Sequence, residues 1–234
     1  MGSDLPKVLI EVAGRPMIWW VVKACRDARV GRCIVVISQD EERFASALAD
    51  LAPFLYVRQD QRLGTGHAAR QAEGHFADMP PRDVFVLAGD GPLLQAKTLE
   101  RLLQAHRHSA AAATLATCIL TDPTGYGRVL RDTAGQFAGI VEQKDAGEAQ
   151  RKVCEINASY YCFRSDHLFA GLGRVRDDNK QGEFYLTDVP GLLKQAGQHV
   201  CLVDEVPAQD VLSINTPDQL VEVDALLRRR LGET

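Results

Sequence analysis

Residues 83–94 read DVFVLAGDGPLL, and this stretch decides the fold class. Its first part, residues 83–89, is a short apolar run with β-branched and aromatic side chains, which is typical of a strand. The run ends at Asp90, which has a glycine on each side. Small residues beside a carboxylate allow other groups to approach it closely. The loop after this strand is therefore the first place to look for chemistry.

Apolar strands and amphipathic helices alternate on either side of this stretch. In the helices, apolar residues recur at spacings of three and four, and the strands are short and bounded by polar residues, Gly or Pro. This alternation predicts an α/β fold with a mixed, mostly parallel sheet and helices on both faces, in which ligands bind beyond the carboxyl ends of the strands. The predicted helices begin at Arg15, Glu41, Gly66, Ala96 and near Thr216, and the further predicted strands are residues 33–38, 55–59, 112–120 and 158–163.

The chain of 234 residues has the size of one large domain, or at most two. It contains no internal repeat, no low-complexity tract and no obvious linker, so we expect one domain. Residues 121–187 differ from the rest because they include the polar sequences DPTGYGRV and EQKDAGEAQRK. We expect this segment to be a loop-rich insertion that covers one side of the site.

Composition and charge argue against several classes of function. The formal net charge of −4 and the pI of about 5.9 argue against a nucleic-acid-binding protein. No apolar run reaches the roughly 18 residues of a membrane span, and the N-terminus has no signal-peptide pattern. The six cysteines show no CxxC spacing and the six histidines no HExxH motif, so we expect buried thiols in a reducing cytoplasm and no zinc site.

Two loops after strands carry the first candidate ligand groups. Asp90 can hold Mg²⁺, which prefers oxygen ligands, although a plain turn aspartate explains this loop equally well. Gly64, Thr65 and Gly66 lead from another strand into a helix, where free backbone N–H groups can bind an anion or the edge of a base. Many helix starts look like this one, so its position after a strand adds only modest support.

Four later loops also place polar residues beside apolar strands. Each residue alone is more often a surface residue than a ligand, but so many polar loops beside strands are a poor fit to coincidence. The residues in question are Gly125 and Gly127, Glu142 and Lys144, Asn157, and the group Glu183, Tyr185, Thr187 and Asp188.

The order and wording of these motifs resemble the nucleoside-triphosphate:sugar-phosphate nucleotidyltransferases. The resemblance covers nearly the whole chain and is strongest to the bacterial N-acetylglucosamine-1-phosphate uridylyltransferases, the pyrophosphorylase domains of bifunctional enzymes. It implies a Rossmann-like, GT-A-like fold. LGTGHA, DPTGYGR and EFYLTD are together specific, well beyond any single glycine motif. The full series is DLPKVL, AGRPMI, LGTGHA, GDGPLL, DPTGYGRV, GIVEQKDA, EIN, QGEFYLTD and SINTPDQL.

The resemblance implies a reaction, its partners and a cofactor. An oxygen of N-acetylglucosamine 1-phosphate attacks the α-phosphorus of UTP in line. The products are pyrophosphate and UDP-N-acetylglucosamine, a precursor of the cell envelope. The protein then acts mainly by positioning the substrates and by neutralising their charge with the help of Mg²⁺. Binding of nucleic acid or of a membrane is not expected.

The same resemblance assigns roles residue by residue. Asp90 and Asn215 match the Mg²⁺ ligands, and Lys7 matches a lysine that neutralises phosphate, so Lys7 and Asp90 are the candidate catalytic residues. The residues that match nucleotide-binding positions are Gln59, Gly64, Thr65 and Gly89. The residues that match positions around the sugar and its acetamido group are Gly127, Glu142, Asn157, Tyr185 and Thr187.

The chain departs from the family pattern in several places. In the family, a strand and the loop L-A-A-G-x-G-T-x-M precede the LPK motif, and only Met1 remains of that loop here. We therefore expect the given chain to start at an internal methionine, to lack the first strand and the glycine-rich phosphate loop, and to show weak or no turnover. Arg62 stands where the family often has glutamine, and Ala158-Ser159-Tyr160 replaces a Thr-Gly-Ile-like run.

The resemblance also leaves alternatives open. No hexapeptide-repeat acetyltransferase half follows the last helix, so we expect no acetyl-CoA activity, and a separate acetyltransferase is a candidate partner. One alternative keeps the chemistry but uses another hexose 1-phosphate. The other is a non-catalytic protein that binds nucleotide sugars, which the missing loop favours and the retention of Lys7, Asp90 and Asn215 opposes. The oligomeric state does not follow from the sequence.

Overall fold

The protein is an α/β structure, and a computed structural model describes residues 5–38, 40–204 and 206–233. Met1 lies outside the described residues. The α-helices are α1 (Met17–Asp27), α2 (Glu41–Ala47), α3 (Thr65–Arg70), α4 (Ala96–His108), α5 (Glu148–Arg151), α6 (Ser165–Leu172), α7 (Asp188–Gln195) and α8 (Pro217–Leu231). The strands are β1 (Glu11–Val12), β2 (Arg15–Pro16), β3 (Ile34–Ile37), β4 (Leu55–Arg58), β5 (Asp83–Leu87), β6 (Ala113–Ile119), β7 (Arg128–Arg131), β8 (Phe137–Val141), β9 (Glu155–Arg164) and β10 (Val200–Val203). Short 3-10 helices span Lys7–Leu9, Ala49–Leu51, Glu73–His75 and Ala208–Val211.

The main sheet has six strands in the described part of the chain and is mixed in direction. β10 and β6 pair in parallel, whereas β9 pairs antiparallel with β5, β6 and β7, and β8 pairs antiparallel with β7. β5, β6, β7 and β10 therefore run in one direction, and β8 and β9 run in the other. β3 and β4 form a separate parallel pair. The predicted mixed α/β sheet is confirmed. Within it, all three strands that pair with β9 are antiparallel to it.

β9 organises the core because its side chains alternate between the two faces of the sheet. On one face, Ile156 and Tyr160 lie in a buried cluster with side chains of α1 and α4. On the other face, Tyr161 and Phe163 lie in a cluster with side chains of α6 and α7. Helices thus cover both faces, as predicted. This arrangement leaves the ends of the strands, rather than the faces of the sheet, accessible to ligands.

Residues 121–187 are more structured than the sequence predicted. Strands β7 and β8 and helices α5 and α6 lie in this segment together with β9. β7 is short and has an arginine at each end, and β8 contains a glycine, so neither shows the alternation that identifies a strand. The helices predicted from Glu41 and Gly66 are also shorter than expected, since each is followed by a 3-10 turn.

Other details of the fold bear on single predictions. Thr216 caps α8 and Pro217 occupies its first turn, as the Thr-Pro-Asp sequence predicted. All six cysteines are free, but Cys154 is exposed and departs from the expectation of buried thiols. In the described part of the chain, no helix has the length and apolar character needed to cross a bilayer.

An ion pair between the partly exposed Arg230 and a buried aspartate ties the C-terminal helix to the body of the protein. Asp210 is fully buried, and its carboxylate accepts hydrogen bonds from Arg230 Nη2 at 2.7 Å and from Gln95 Nε2 at 2.8 Å. Arg230 Nη1 also donates to the backbone oxygen of Leu93 at 3.0 Å. These bonds hold α8 and the 3-10 helix Ala208–Val211 close to the start of α4.

Replacement of Arg230 by methionine should lower the free energy of unfolding by about 3 kcal/mol, because a buried carboxylate would lose its counter-charge. Urea unfolding of the wild type and of Arg230→Met measures the change. Arg229→Met is the matched control, since Arg229 is exposed on the same helix, and its effect should stay within about 0.5 kcal/mol. Equal effects of the two changes would contradict a structural role for the ion pair.

Candidate active site

Three polar residues from distant parts of the chain meet beyond the carboxyl end of β5. The ammonium of Lys7 donates to Asp90 Oδ2 at 2.6 Å and to Asn215 Oδ1 at 2.7 Å. Lys7 begins the first 3-10 helix, Asp90 follows β5, and Asn215 directly precedes Thr216, the N-cap of α8. The structure thus brings the two residues that matched metal ligands together with the lysine that matched a phosphate-binding position.

The loop before α8 fixes the direction of the Asn215 amide. The side-chain oxygen of Gln219 accepts hydrogen bonds from the backbone N of Asn215 at 2.7 Å and of Thr216 at 3.1 Å, and Thr216 Oγ1 accepts from Gln219 N at 3.2 Å. This reciprocal arrangement is a capping box. Asn215 Nδ2 donates to Ser213 Oγ at 3.2 Å, and Oδ1 therefore faces Lys7. The same short sequence starts the helix and orients a potential ligand group.

The glycines beside Asp90 make room for neighbouring elements. A Cβ atom on Gly89 would lie 3.2 Å from Val8 Cγ1, and one on Gly91 would collide with Tyr160 Oη. Gly89, which the sequence matched to a nucleotide-binding position, therefore packs beside the 3-10 helix that carries Lys7.

The segment of Gly64, Thr65 and Gly66, called the glycine-rich loop from here on, is distinct from the phosphate loop expected before Lys7. This glycine-rich loop is hydrogen bonded to the backbone of Phe184. Gly66 N donates to Phe184 O at 2.7 Å, and Phe184 N donates to Leu63 O at 2.8 Å. Gly64 has a positive φ of 106°, and a Cβ atom there would lie 2.7 Å from Phe184 O. Both the backbone conformation and the close approach require glycine at position 64.

Side chains reinforce the contact of the glycine-rich loop with its surroundings. Thr65 Oγ1 accepts a hydrogen bond from Leu186 N at 3.0 Å. Gln59 Nε2 donates to Gly64 O at 3.1 Å and lies 2.9 Å from His67 Nδ1. Three of the residues matched to nucleotide-binding positions, Gln59, Gly64 and Thr65, are therefore neighbours in the structure.

Four of the residues matched to the sugar are linked around Glu142. Thr187 Oγ1 donates to Glu142 Oε1 at 2.9 Å, and a Cβ atom on Gly127 would lie 3.4 Å from Glu142 Oε2. Asn157 N donates to Gly127 O at 2.9 Å. Gly127 directly precedes β7, Glu142 follows β8, Asn157 lies in β9, and Thr187 caps α7.

Two of the predicted sugar-side residues have hydrogen-bond partners within the protein. Asn157 Nδ2 donates to Tyr161 Oη at 2.6 Å, and Gln181 Nε2 donates to Tyr185 Oη at 2.6 Å. Asn157 and Tyr185 are both buried. These bonds hold the two side chains in fixed positions, and only their remaining hydrogen-bonding capacity is left for a ligand.

Burial changes the acid–base properties of the sugar side. It raises the pKa of Glu142, although the hydrogen bond from the Thr187 hydroxyl opposes this shift. Burial and the charge of nearby Glu142 raise the pKa of Asp188 to about 6. A cavity of about 680 Å³ opens beside Thr187 and Asp188. Glu142 and Asp188 therefore hold their protons more tightly than exposed acids do.

Comparison with known proteins gives the family. Residues 1–154 match the model of the MobA-like NTP transferase domain. The chain belongs to the MobA-like NTP transferase family. It is also similar to proteins named bifunctional protein GlmU from Heliobacterium modesticaldum (44% identity over 231 residues), Pelotomaculum thermopropionicum (43% over 233) and Brevibacillus brevis (40% over 231). These alignments cover 99%, 100% and 99% of this chain, and each covers 50% of the relative, so the chain spans about half the length of the curated relatives it matches.

The match to the NTP transferase domain includes only part of the site. Lys7 and Asp90 lie within residues 1–154, as do the glycine-rich loop and Glu142. Asn157, Tyr185, Thr187 and Asn215 lie beyond residue 154, in the part that only the alignments with the GlmU proteins cover.

Several residues at this site of the NTP transferase domain were not predicted from the sequence. The backbone of Phe184 is hydrogen bonded to the glycine-rich loop. Ser213 and Gln219 orient Asn215. Only Gln219 had a recognisable signal, since it stands three residues after Thr216 in the spacing of a capping box. The other contacts join residues far apart in the chain and leave no local pattern.

Replacement of Gly64 by alanine should lower the free energy of unfolding by about 1–3 kcal/mol, because its φ is positive and the new Cβ would meet Phe184 O. Urea unfolding measures the change. Gly74→Ala is the control, since a Cβ at Gly74 meets nothing within 4 Å. If both variants unfold like the wild type, the close contact with Phe184 is not present.

The stability of the protein should respond to pH through Asp188. Its raised pKa means that folding favours the protonated carboxyl, so the ionised form destabilises the folded protein. This penalty should appear as the pH rises from the ordinary aspartate value of about 4 through about 6. Asp188→Asn stays neutral, so the melting temperature of this variant relative to the wild type should increase from pH 4 to pH 8.

The increase for Asp188→Asn should amount to a few degrees at most, because Asp188 is partly exposed and solvent screens its charge. Scanning calorimetry at both pH values measures it. Asp177→Asn is the control, since Asp177 is an exposed residue of the nearby loop. A difference between wild type and Asp188→Asn that stays constant with pH would contradict the shifted pKa.

Proposed function

We propose that this NTP transferase domain transfers the uridylyl group of UTP to N-acetylglucosamine 1-phosphate. The observation that carries the proposal is the convergence of Asp90 and Asn215 on the ammonium of Lys7. Its support comes from the neighbouring glycine-rich loop and Glu142 group, and from similarity to proteins named bifunctional protein GlmU. In the reaction, a phosphate oxygen of the sugar phosphate bonds to the α-phosphorus, the bond from that phosphorus to the bridging oxygen breaks, and pyrophosphate leaves.

The donor set fits a magnesium ion. Asp90 offers a carboxylate oxygen and Asn215 an amide oxygen, and both already surround one cationic atom, Lys7 Nζ. Mg²⁺ binds through few protein oxygens and completes its shell with water and substrate phosphates. When bound, Mg²⁺ would neutralise negative charge on the phosphates of the nucleotide. Asp90 and Asn215 are the residues that would hold it.

Lys7 contributes a second positive charge. Its side chain is 39% exposed, so the ammonium can leave Asp90 and approach a phosphate without a large desolvation cost. The attacking phosphate has a second pKa near 6 and is largely ionised at neutral pH. The reaction therefore needs no general base, and charge neutralisation and alignment are the main tasks of the protein.

The sugar side provides the alignment. Glu142 and Thr187 form a hydrogen-bonded pair whose remaining oxygen lone pairs can accept bonds from sugar hydroxyls. Asn157 and Tyr185 are held by Tyr161 and Gln181 and so present fixed surfaces to the acetamido group. Gly64 and Thr65, in the loop that bonds the backbone of Phe184, and the adjoining Gln59 would bind the uracil. An acceptor held in this way has lost much of its freedom before the bond forms.

The test is pyrophosphate release from UTP and N-acetylglucosamine 1-phosphate, with dTTP, CTP, glucose 1-phosphate and galactose 1-phosphate as competitors. We expect preference for UTP and for the acetamido sugar. The chain should be assayed alone and together with any residues that precede Met1 in frame. Calorimetric binding of UDP-N-acetylglucosamine tests the site independently of turnover. The proposal is falsified if this nucleotide sugar neither binds nor forms, and preference for another hexose 1-phosphate would reassign the acceptor.

Lys7→Met should distinguish two effects of the Lys7 ammonium: competition with a divalent ion for Asp90 and Asn215, and neutralisation of phosphate charge. Without the ammonium, a divalent ion meets no competitor between Asp90 and Asn215, so Mn²⁺ should bind several-fold more tightly, as measured by electron paramagnetic resonance. The rate of uridylyl transfer should nevertheless fall about 100-fold, because one phosphate-neutralising charge is gone. Asp90→Asn is the comparison, and it should weaken Mn²⁺ binding and lower the rate together. If Lys7→Met leaves Mn²⁺ affinity unchanged, Lys7 and the metal do not share this position.

A further inference from the structure

Arg128 is a buried arginine without a carboxylate partner among the described residues. Its side chain is almost fully buried, and burial lowers its pKa. Nη1 donates to the backbone oxygen of Tyr126, and Nη2 donates to Gln143 Oε1 at 2.7 Å. Within the described chain, Nε is buried and has no hydrogen-bond partner. Burial of a charge under these conditions costs free energy, so Arg128 is a poor choice for stability alone.

The two acceptors of Arg128 belong to the two loops that form the sugar side. Tyr126 directly precedes Gly127, and Gln143 directly follows Glu142. The planar guanidinium holds both loops at a fixed separation, which a single flexible ammonium cannot do. Arg128 thus adds a side-chain tie between the loops of Gly127 and Glu142 to the backbone pairing of β7 with β8, in which Arg128 lies opposite Val141.

Tyr126 extends this connection to the metal side. Its Oη accepts a hydrogen bond from Ser213 N at 3.2 Å. Ser213 Oγ in turn accepts from Asn215 Nδ2 at 3.2 Å, the bond that directs the Asn215 amide. Tyr126 is thus bonded through its carbonyl oxygen to Arg128 and through its hydroxyl to the loop that carries Asn215.

We infer that Tyr126 and Arg128 are positioning residues that couple the placement of Asn215 to that of Glu142. The bonds from Gln143 through Arg128, Tyr126 and Ser213 to Asn215 form one continuous path between the two halves of the site. Nothing in the proposed function requires such a path. The kinetic part of the inference rests on that function, whereas its structural part does not.

Amide hydrogen exchange tests the structural part. Arg128→Lys replaces the two nitrogens that bond Tyr126 and Gln143 with one nitrogen on a flexible stem, so the tie between these acceptors should loosen. Exchange in residues 211–216 should then become about 3- to 10-fold faster, although neither of the two side-chain hydrogen bonds of Arg128 described above goes to that segment. Arg131→Lys is the matched control, because Arg131 lies on the same strand and pairs with Glu155 at the surface. Its exchange in residues 211–216 should equal that of the wild type. Unchanged exchange in Arg128→Lys, or the same increase in both variants, would overturn the inference.

Ligand affinities test the coupling itself. Tyr126→Phe removes only the acceptor for Ser213 N, so the affinity for Mn²⁺ should fall about 3- to 10-fold and kcat should fall more than KM. Arg128→Lys should also weaken Mn²⁺ binding and should raise KM for the sugar phosphate more than KM for UTP. Because the bonds are in series, Arg128→Lys should have little further effect on Mn²⁺ affinity in the Tyr126→Phe background.

The outcomes separate the inference from the proposed function. If the effects of the two changes on Mn²⁺ affinity simply multiply, or if both variants lose only thermal stability, the residues have a structural role and the inference is wrong. If the wild type makes no UDP-N-acetylglucosamine, the proposed function fails while the exchange experiment still decides whether the path exists.

Discussion

The candidate site depends on one charge contact between residues that are far apart in the chain. Lys7 lies 83 residues from Asp90 and 208 residues from Asn215, yet its ammonium is within 2.6 and 2.7 Å of their oxygens. A carboxylate and an amide oxygen that converge on one point are two acceptors, and a cation between them satisfies both and offsets the carboxylate charge. The end of β5, the first 3-10 helix and the start of α8 must therefore meet at one place. The capping box of α8 and the ion pair of Arg230 with the buried Asp210 hold the C-terminal part of this arrangement.

The two halves of the site treat charge differently. Lys7 and Asp90 have side chains that are 39% and 25% exposed, so water screens their attraction and the cation between the oxygens can be exchanged. Glu142 lies in a drier region, where burial raises its pKa. An exchangeable cation position together with the buried Glu142 group fits the proposed reaction, in which charge moves on the phosphates while the sugar stays fixed.

The sequence was sufficient for the parts of the structure that follow from local pattern. β5 and Asp90 were found because an apolar run and a glycine-flanked acid are adjacent, and α8 because Thr216 and Pro217 mark its start. The sugar-side residues stood out only as polar residues beside strands, and their roles, like the choice of Asn215, came from resemblance because single polar residues have no distinctive pattern. Strand β7, and the bonds that join Arg128, Tyr126 and Ser213, were missed, and β8 was indicated only as an apolar strand before Glu142. They are set by long-range pairing, which a periodicity of a few residues does not encode.

The backbone hydrogen bonds between the glycine-rich loop and Phe184 limit how substrate preference can evolve. These bonds join the segment that would bind the base directly to the segment that would bind the acceptor. A mutation that reshapes residues 183–187, which would line the acceptor pocket, would also displace the groups proposed to face the base. A change in sugar preference during evolution is therefore expected to change the nucleotide preference as well. Chimaeras between paralogues should transplant both segments as one cassette.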